Sequence, residues 1–248
     1  MIGCLIIGDE ILSGKRQDKH FSQAISILAA RGLALGWSMY LPDEPEVIGA
    51  VLTSTFQRQD IVFSFGGIGA TPDDHTRQCA AKALGVTLFR QPDAVAELEA
   101  KFGAEAYPKR VMMAEFPLGS RIIPNPYNRV AGFSHGRHHF LPGFPEMAWP
   151  MMEWVLDHEY RHLHSATPPL DLAIVVRDAG ESQLIDLMNA CIARFPHLKV
   201  FSLPSFTPDG RRIELGARGA EAEAREALRF IQDGVDALGF AWSLRAPL

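Results

Sequence analysis

Three features of the 248-residue sequence predict an α/β fold with a mostly parallel sheet, followed by a small α+β domain. Short, wholly apolar runs alternate with segments whose apolar residues recur at helical spacing, as a parallel sheet covered by helices on both faces requires. Each of the first three runs ends in a polar stretch marked by glycine or proline: GDEILSG, LPDEPE and GGIGATPDDHT. A proline-containing break, HSATPP at 164–169, then separates this pattern from a second one that reads strand, helix, strand, strand, helix. The expected domains are therefore 1–165 and 168–248.

CLIIG is a buried strand running into a loop at GDE. From Asp18 to Arg31 the spacing of Phe21, Ile25, Leu28 and Ala29 predicts a helix that stops at Gly32. Leu33 to Leu41 reads as a strand cut off by Pro42. Val47, Ile48, Val51 and Leu52 form the stripe of a helix with acidic DEPE at its start. DIVFSF is the third strand, and Thr76 to Leu84 the third helix. VAELEAKF continues as a helix, and the segments PLGSRIIPNPYNRVAGF and HHFLPGFPEM read as short strands joined by proline- and glycine-rich loops. Trp149 to Leu163 is expected to be helical, with Pro150 in its first turn. Beyond the break, LDLAIVVR, KVFSLPS and RRIELGAR are strands, while ESQLIDLMNACIARF and EAEAREALRFIQDGVDAL are helices.

Composition excludes several classes. A formal net charge of −5 argues against a general nucleic-acid binder. Cys4, Cys79 and Cys191 lie far apart without a CxxC pair, which argues against a disulfide framework or thiolate zinc site and fits a reducing cytoplasm. The apolar start, Met1 to Ile7, ends at Asp9 and Glu10, lacks a basic leader and is too short to span a bilayer. The expectation is a cytoplasmic protein with no membrane or nucleic-acid partner.

In doubly wound sheets, ligands bind at the carboxyl ends of the strands. The three polar stretches each follow a strand, so they are expected to gather along one sheet edge. In the third, Gly66, Gly67 and Gly69 let the backbone turn tightly and bring N–H groups to an anion, with a helix start just beyond. The spacing is neither a Walker A loop nor G-x-G-x-x-G, and a plain strand-to-helix turn capped by Asp73 or Asp74 stands beside the functional reading. Two adjacent carboxylates exceed the needs of one cap. Beside phosphates they call for a divalent metal or a proton.

GDEILSG, PDE, GGIGATPDDHT, the NP…GF segment and LPGFPEM together resemble the molybdopterin-binding domain family. The likeness is greatest to the amino-terminal half of its competence/damage-inducible A group, and it runs from Ile2 to Glu153. The stretches ESQL, FSLP and RRIELGARG resemble that group's small second domain. The amidase domain that often follows there has no counterpart in these residues. The resemblance implies a three-layer α/β domain that binds a pterin (molybdopterin as ligand) or a nucleotide pyrophosphate. It also implies divalent-metal-dependent cleavage of ADP-ribose, with magnesium or cobalt, or a part in molybdenum cofactor biosynthesis by adenylyl transfer or non-catalytic molybdopterin binding. A homo-oligomer is implied as well.

On this resemblance Asp74 and Asp43 are the catalytic candidates, and Asp9, Asp73 and Asp74 the metal ligands. Gly66, Gly67, Gly69, Thr71, Thr76, Ser13, Gly14, Asn125, Arg129, Pro142 and Gly143 are the ligand-binding candidates. Each has a plainer reading: Asp9 and Glu10 cap a turn, Asp43 opens a helix, Asn125 forms an asparagine-proline turn and Arg129 faces solvent. The family commonly has proline where Ala70 stands and small residues where Tyr127, Asn128 and Arg129 stand, so the departures flank the expected pocket. HEYRH at 158–162 matches the H-E-x-x-H zinc pattern, with HGRHH and His164 as further donors. It falls at a helix end and is read as exposed histidines near a helix C-terminus. His75 is a better neighbour for the site.

Overall fold

The computed structural model describes residues 1–166, 169–208 and 210–245. The chain divides into two compact units, Met1–His164 and Ser165–Leu248. Thr167 and Pro168 of the expected linker, the first residue of the expected second domain among them, lie outside the described residues.

The first unit is built on a six-stranded sheet in the order β2-β1-β3-β8-β7-β6. Strands β1 (Ile2–Ile7), β2 (Trp37–Leu41), β3 (Ile61–Phe65) and β8 (His138–Leu141) run parallel, whereas β6 (Arg121–Ile123) and β7 (Gly132–His135) form an antiparallel meander at one end. The sheet is mostly parallel, as the apolar runs require. Alternate residues of each strand feed opposite layers. Ile2, Cys4 and Ile6 of β1 with Phe63 and Phe65 of β3 meet α2 (His20–Ala29) and α6 (Pro145–Glu159). Leu5, Ile7 and Val62 face the other way, onto α3 (Pro45–Phe56), α4 (Thr76–Leu84) and α5 (Pro92–Phe102). A two-stranded ribbon of β4 (Leu88–Arg90) and β5 (Glu115–Pro117) lies beside this layer.

Two readings of the first unit are corrected. GDEILSG is not a plain loop, because Asp9–Leu12 form a single helical turn, α1. Pro150 does not sit in a first helical turn. Pro145 takes the first position of α6, where a fixed φ suits the helix start, and Pro150 lies inside it. Strand β2 begins only at Trp37, and α6 ends at Glu159 before a 3₁₀ turn, Arg161–Leu163.

The second unit is a four-stranded antiparallel sheet in the order β10-β11-β9-β12, from β9 (Leu170–Arg177), β10 (Lys199–Thr207), β11 (Gly210–Gly219) and β12 (Trp242–Leu244). Helices α7 (Glu181–Arg194) and α8 (Glu221–Ala237) bury Leu184, Cys191, Ala227 and Ile231 with Ile174, Ile213 and Leu215 of the sheet. Strand β12 here, like β4 in the first unit, is missing from the sequence reading; a three-residue strand carries no periodicity to detect. No helix among the described residues is long and apolar enough to cross a membrane.

Candidate functional site

Chain order places the site. From β1 the chain moves to β2 on one side and returns past β1 to β3 on the other. The loops after β1 and β3 therefore diverge and leave a crevice at the strands' carboxyl ends, the switch point at which such sheets bind ligands. A cavity of about 540 Å³ lies there. Ile7, Gly8 and Glu10 line it from the first loop, Asp43 from the second, and Gly66 to Thr71 with Asp73 and Asp74 from the third. Pro142, Gly143, Phe144 and Met147 close it from the end of β8 and the start of α6, and Met113, Asn128 and Val130 from the crossing segments. All three polar stretches thus contribute to one wall.

The glycines are required by geometry. Gly66 and Gly67 have φ of 102° and 68°, the left-handed region that side chains avoid. A Cβ on Gly66 would strike the Ile7 carbonyl, one on Gly67 the Thr76 hydroxyl, and one on Gly69 the Asp74 carboxylate. Gly66→Ala is expected to lower stability by about 2 kcal/mol or more, combining backbone strain with displacement of β1. Urea unfolding of the variant checks this, and a change below about 0.5 kcal/mol would show that the loop relaxes freely.

The carboxylates divide by environment. Asp9 and Asp43 are tied reciprocally: the Asp9 N–H donates to Asp43 Oδ2 at 2.9 Å, and the Asp43 N–H to Asp9 Oδ1 at 3.3 Å. This pins the β1 and β2 loops together and leaves Asp9 outside the cavity lining. Burial, then the negative charges of Asp9, Glu10 and Asp73, push Asp43 above the ordinary carboxylate range, against the lowering effect of the Asp9 N–H. Asp73 is held below that range, chiefly by hydrogen bonding from Thr71. Asp74 does not cap α4; His75 is at that position without a side-chain cap bond. Instead Asp74 Oδ2 accepts from the Thr71 N–H at 2.8 Å and the Thr71 hydroxyl at 2.5 Å, closing the loop on itself.

Thr76 is fully buried and braces the loop, its hydroxyl donating to the Gly66 carbonyl at 3.1 Å and its N–H to the Gly67 carbonyl at 2.9 Å. Ser13 and Gly14 are exposed beyond α1 and do not line the cavity. Asn125 is buried, and its side chain is spent within its own turn: Nδ2 donates to Asn128 Oδ1 at 2.8 Å and to the Val130 carbonyl at 2.9 Å. It thereby orients Asn128, which reaches the cavity wall. Arg129 turns away into a bidentate pair with Glu97, at 2.7 and 3.1 Å, beside a separate hollow.

Several wall residues were not singled out from sequence: Arg16, Asn128, Met113, Phe144 and Met147; Glu10 was read together with Asp9 as either a cap or a site carboxylate, and it is the one that lines the cavity. Glu10 adjoins Asp9 in the first motif, and helical phase in α1 decides which of the two faces the cavity. Arg77 also emerges only in three dimensions. Buried in α4, it donates to the Gly69 carbonyl at 2.6 Å, the Glu115 carbonyl at 3.1 Å and the Met112 carbonyl. It so fastens the glycine loop to the segment that carries Met113.

The H-E-x-x-H match has no metal geometry. Helix α6 ends between its two histidines, and His158 stacks on Trp154 while Nδ1–H donates to the Trp154 carbonyl at 2.8 Å. Among the described residues no group of three or more His, Cys, Asp or Glu is placed to hold a metal ion. The wall carboxylates Glu10, Asp43, Asp73 and Asp74 therefore fit a cation only in the mode typical of magnesium, with one or two protein carboxylates and the rest of the shell from water and ligand phosphate.

The fold and the cavity define a doubly wound α/β protein with a cavity at the switch point. Residues 3–162 match the family described as probable molybdopterin binding domain, and the chain belongs to that family. A CinA-like protein of Citrifermentans bemidjiense is 36% identical over 163 residues, 62% of this chain and 39% of that protein. The chain thus spans well under half of that relative. A protein of Pyrobaculum aerophilum is 30% identical over 195 residues, 75% of this chain and 72% of that one. The solved structure of CinA from Thermoplasma acidophilum, described as of unknown function, is similar with a TM-score of 0.57 at 28% identity, over 63% of this chain and 96% of that one.

Proposed function

We propose that the cavity binds a planar heterocycle joined to a pyrophosphate, and that the chain cleaves the phosphoanhydride with a divalent cation, ADP-ribose being the preferred substrate. The observation that carries this reading is one cavity in which a positive-φ glycine loop meets four carboxylates, Glu10, Asp43, Asp73 and Asp74. Ile7, Ile68, Met113 and Met147 supply an apolar wall for a flat ring, and Asn128 a polar edge.

Magnesium or cobalt would be held by Asp73 with Asp74, and when bound it offsets phosphate charge and polarises the attacking water. The chain's own residues do the rest. Backbone N–H groups of the glycine loop hold one phosphate. Asp43, its pKa raised by burial and then by its acidic neighbours, takes the proton from water as water's oxygen bonds to phosphorus. The bridging P–O bond breaks, and AMP and ribose 5-phosphate leave. Asp74 keeps the loop closed through Thr71.

A second reading is a non-catalytic molybdopterin-binding module or an adenylyl-transfer partner in cofactor assembly. The family description and the engagement of Asp74 in its own loop favour it. Incubation of purified protein with ADP-ribose and magnesium or cobalt separates the two. AMP is expected from the parent, with Asp43→Asn slower by about 100-fold or more. Chelation is expected to stop the reaction. No AMP with either metal would remove the hydrolase reading and leave the binding module.

A further inference from the structure

The stretch QDKHF opens helix α2. Asp18 accepts the His20 N–H at 2.8 Å and the Phe21 N–H at 3.1 Å, satisfying two of the donors that a helix start leaves open. The Tyr40 hydroxyl of β2 donates to the same carboxylate at 2.8 Å. On this fixed backbone the His20 side chain is buried. Its ring stacks on Phe65 with centroids 4.5 Å apart, and Nε2 donates to the Gly143 carbonyl at 3.1 Å. A carbonyl only accepts, so Nε2 carries the proton and Nδ1 is the bare nitrogen.

These two contacts fall on two walls of the cavity. Phe65 ends β3 just before the glycine loop, and Gly143 lies in the turn that leaves β8. The walls meet glycine against glycine: the Gly66 N–H donates to the Leu141 carbonyl at 3.0 Å, and a Cβ on Gly143 would stand 3.5 Å from the Gly66 Cα. Packing alone does not account for a histidine between them. Among the described residues Nδ1 is buried without a partner, and burial pulls the ring's pKa down, so the neutral ring keeps an unsatisfied acceptor in the core. Phenylalanine would stack on Phe65 without that penalty. What it would lack is the Nε2–H to Gly143.

We propose that His20 is a positioning residue of the cavity, pinning the Gly143–Phe144 turn to the glycine loop and so fixing the gap between those two walls. His20 does not line the cavity itself and acts through Phe65 and Gly143. The turn it holds carries Pro142 and Phe144, both of which do line it, and Phe144 is 55% exposed. Released from the pin, that turn drifts from the loop and the ligand loses a wall. The unsatisfied nitrogen is stability given up for alignment, as at sites where geometry is held against the optimum for folding. As a statement about ligand affinity this rests on the nucleotide-pyrophosphate reading above; as a statement about the loop it does not.

Two substitutions separate the ring's contacts. His20→Phe keeps the stack and removes the donor, whereas His20→Gln keeps a side-chain N–H of similar reach and removes the stack. Urea unfolding, calorimetry with AMP and magnesium, and amide hydrogen exchange are measured on the full chain. His20→Phe is expected to match or exceed the parent's urea midpoint, yet to bind AMP about 10-fold more weakly. Its Gly66 and Thr76 amides, bonded to the Leu141 and Gly67 carbonyls, are expected to exchange about 10-fold faster while those of β1 do not change. His20→Gln is expected to unfold at lower urea but to bind AMP within about 3-fold of the parent, with slow exchange at both amides. Affinity and exchange that simply follow stability, with His20→Phe behaving as the parent, would reduce His20 to packing and overturn the proposal. A parent that binds no AMP would overturn the nucleotide reading, and exchange at Gly66 and Thr76 would still decide for or against the pin.

Discussion

Arg77→Met is expected to lower the stability of the first unit by about 2–4 kcal/mol and to loosen the cavity with it. Two effects oppose each other. Burial of the guanidinium is unfavourable and pulls its pKa down, so removing the charge recovers some desolvation energy. Against this, the carbonyls of Gly69, Met112 and Glu115 lose a charged donor inside the protein, and methionine offers none in return. The Met112 carbonyl keeps the Glu115 N–H, but the partly buried Gly69 and Glu115 carbonyls lose their charged donor at about 1–3 kcal/mol each, which outweighs the recovered desolvation. No carboxylate hydrogen-bonds Arg77, so the variant leaves no unpaired buried charge, which limits the loss. Urea unfolding followed by tryptophan fluorescence reads the shift. Arg77→Lys should recover only part of it, since one ammonium does not reproduce the planar fork. An Arg77→Met variant within about 0.5 kcal/mol of the parent would show that loop and segment hold without the clamp.

Acidification is expected to destabilise the first unit steeply, and two adjacent histidines of β8 are the cause. His138 and His139 are held neutral, burial lowering them to about 4 and about 3. His138 Nε2 lies 2.9 Å from the Thr55 hydroxyl. That hydroxyl donates to the Leu52 carbonyl, so Nε2 carries the proton and donates. His139 lies between the Ser134 and Tyr160 hydroxyls, at 2.8 and 2.9 Å. In the unfolded chain both titrate near the usual value of about 6.5. Because the folded values are depressed, the unfolded state binds more protons between about pH 6.5 and pH 4, and stability falls as pH falls through that window. The loss from the pair is on the order of 5 kcal/mol by pH 4. Urea midpoints taken from pH 7.5 to pH 4.5 test this. A His138→Gln, His139→Gln double variant should flatten the slope even if it starts less stable. A parent whose midpoint does not move between pH 7 and pH 5 would refute the assignment.

Much of the first unit was legible in the sequence because its central strands are buried on both faces and read as nearly continuous apolar runs, CLII and IVFSF. The edge at which the polar stretches gather followed from alternation and chain direction alone. Pro145 was harder to see as a helix start, because proline at a first position and proline inside a helix look alike in a linear pattern. Strand β12 is too short to carry a period.

The sequence by itself determined the layered α/β class, the switch-point edge and the glycine loop with its neighbouring carboxylates. All of these depend on local chemistry: apolar spacing, turn residues and the order in which strands and loops follow one another. Only the tertiary structure decided which member of each motif reaches the cavity. Glu10 lines it and Asp9 does not, because one helical turn rotates them apart. Asn128 lines it and Asn125 does not, because Asn125 is spent holding the turn. Arg129 is taken by Glu97, while Arg16 lines the cavity. Arg77 joins Gly69 to Met112 and Glu115, residues distant in the chain. Side-chain direction and long-range pairing are set by packing between segments, which no window along the sequence contains.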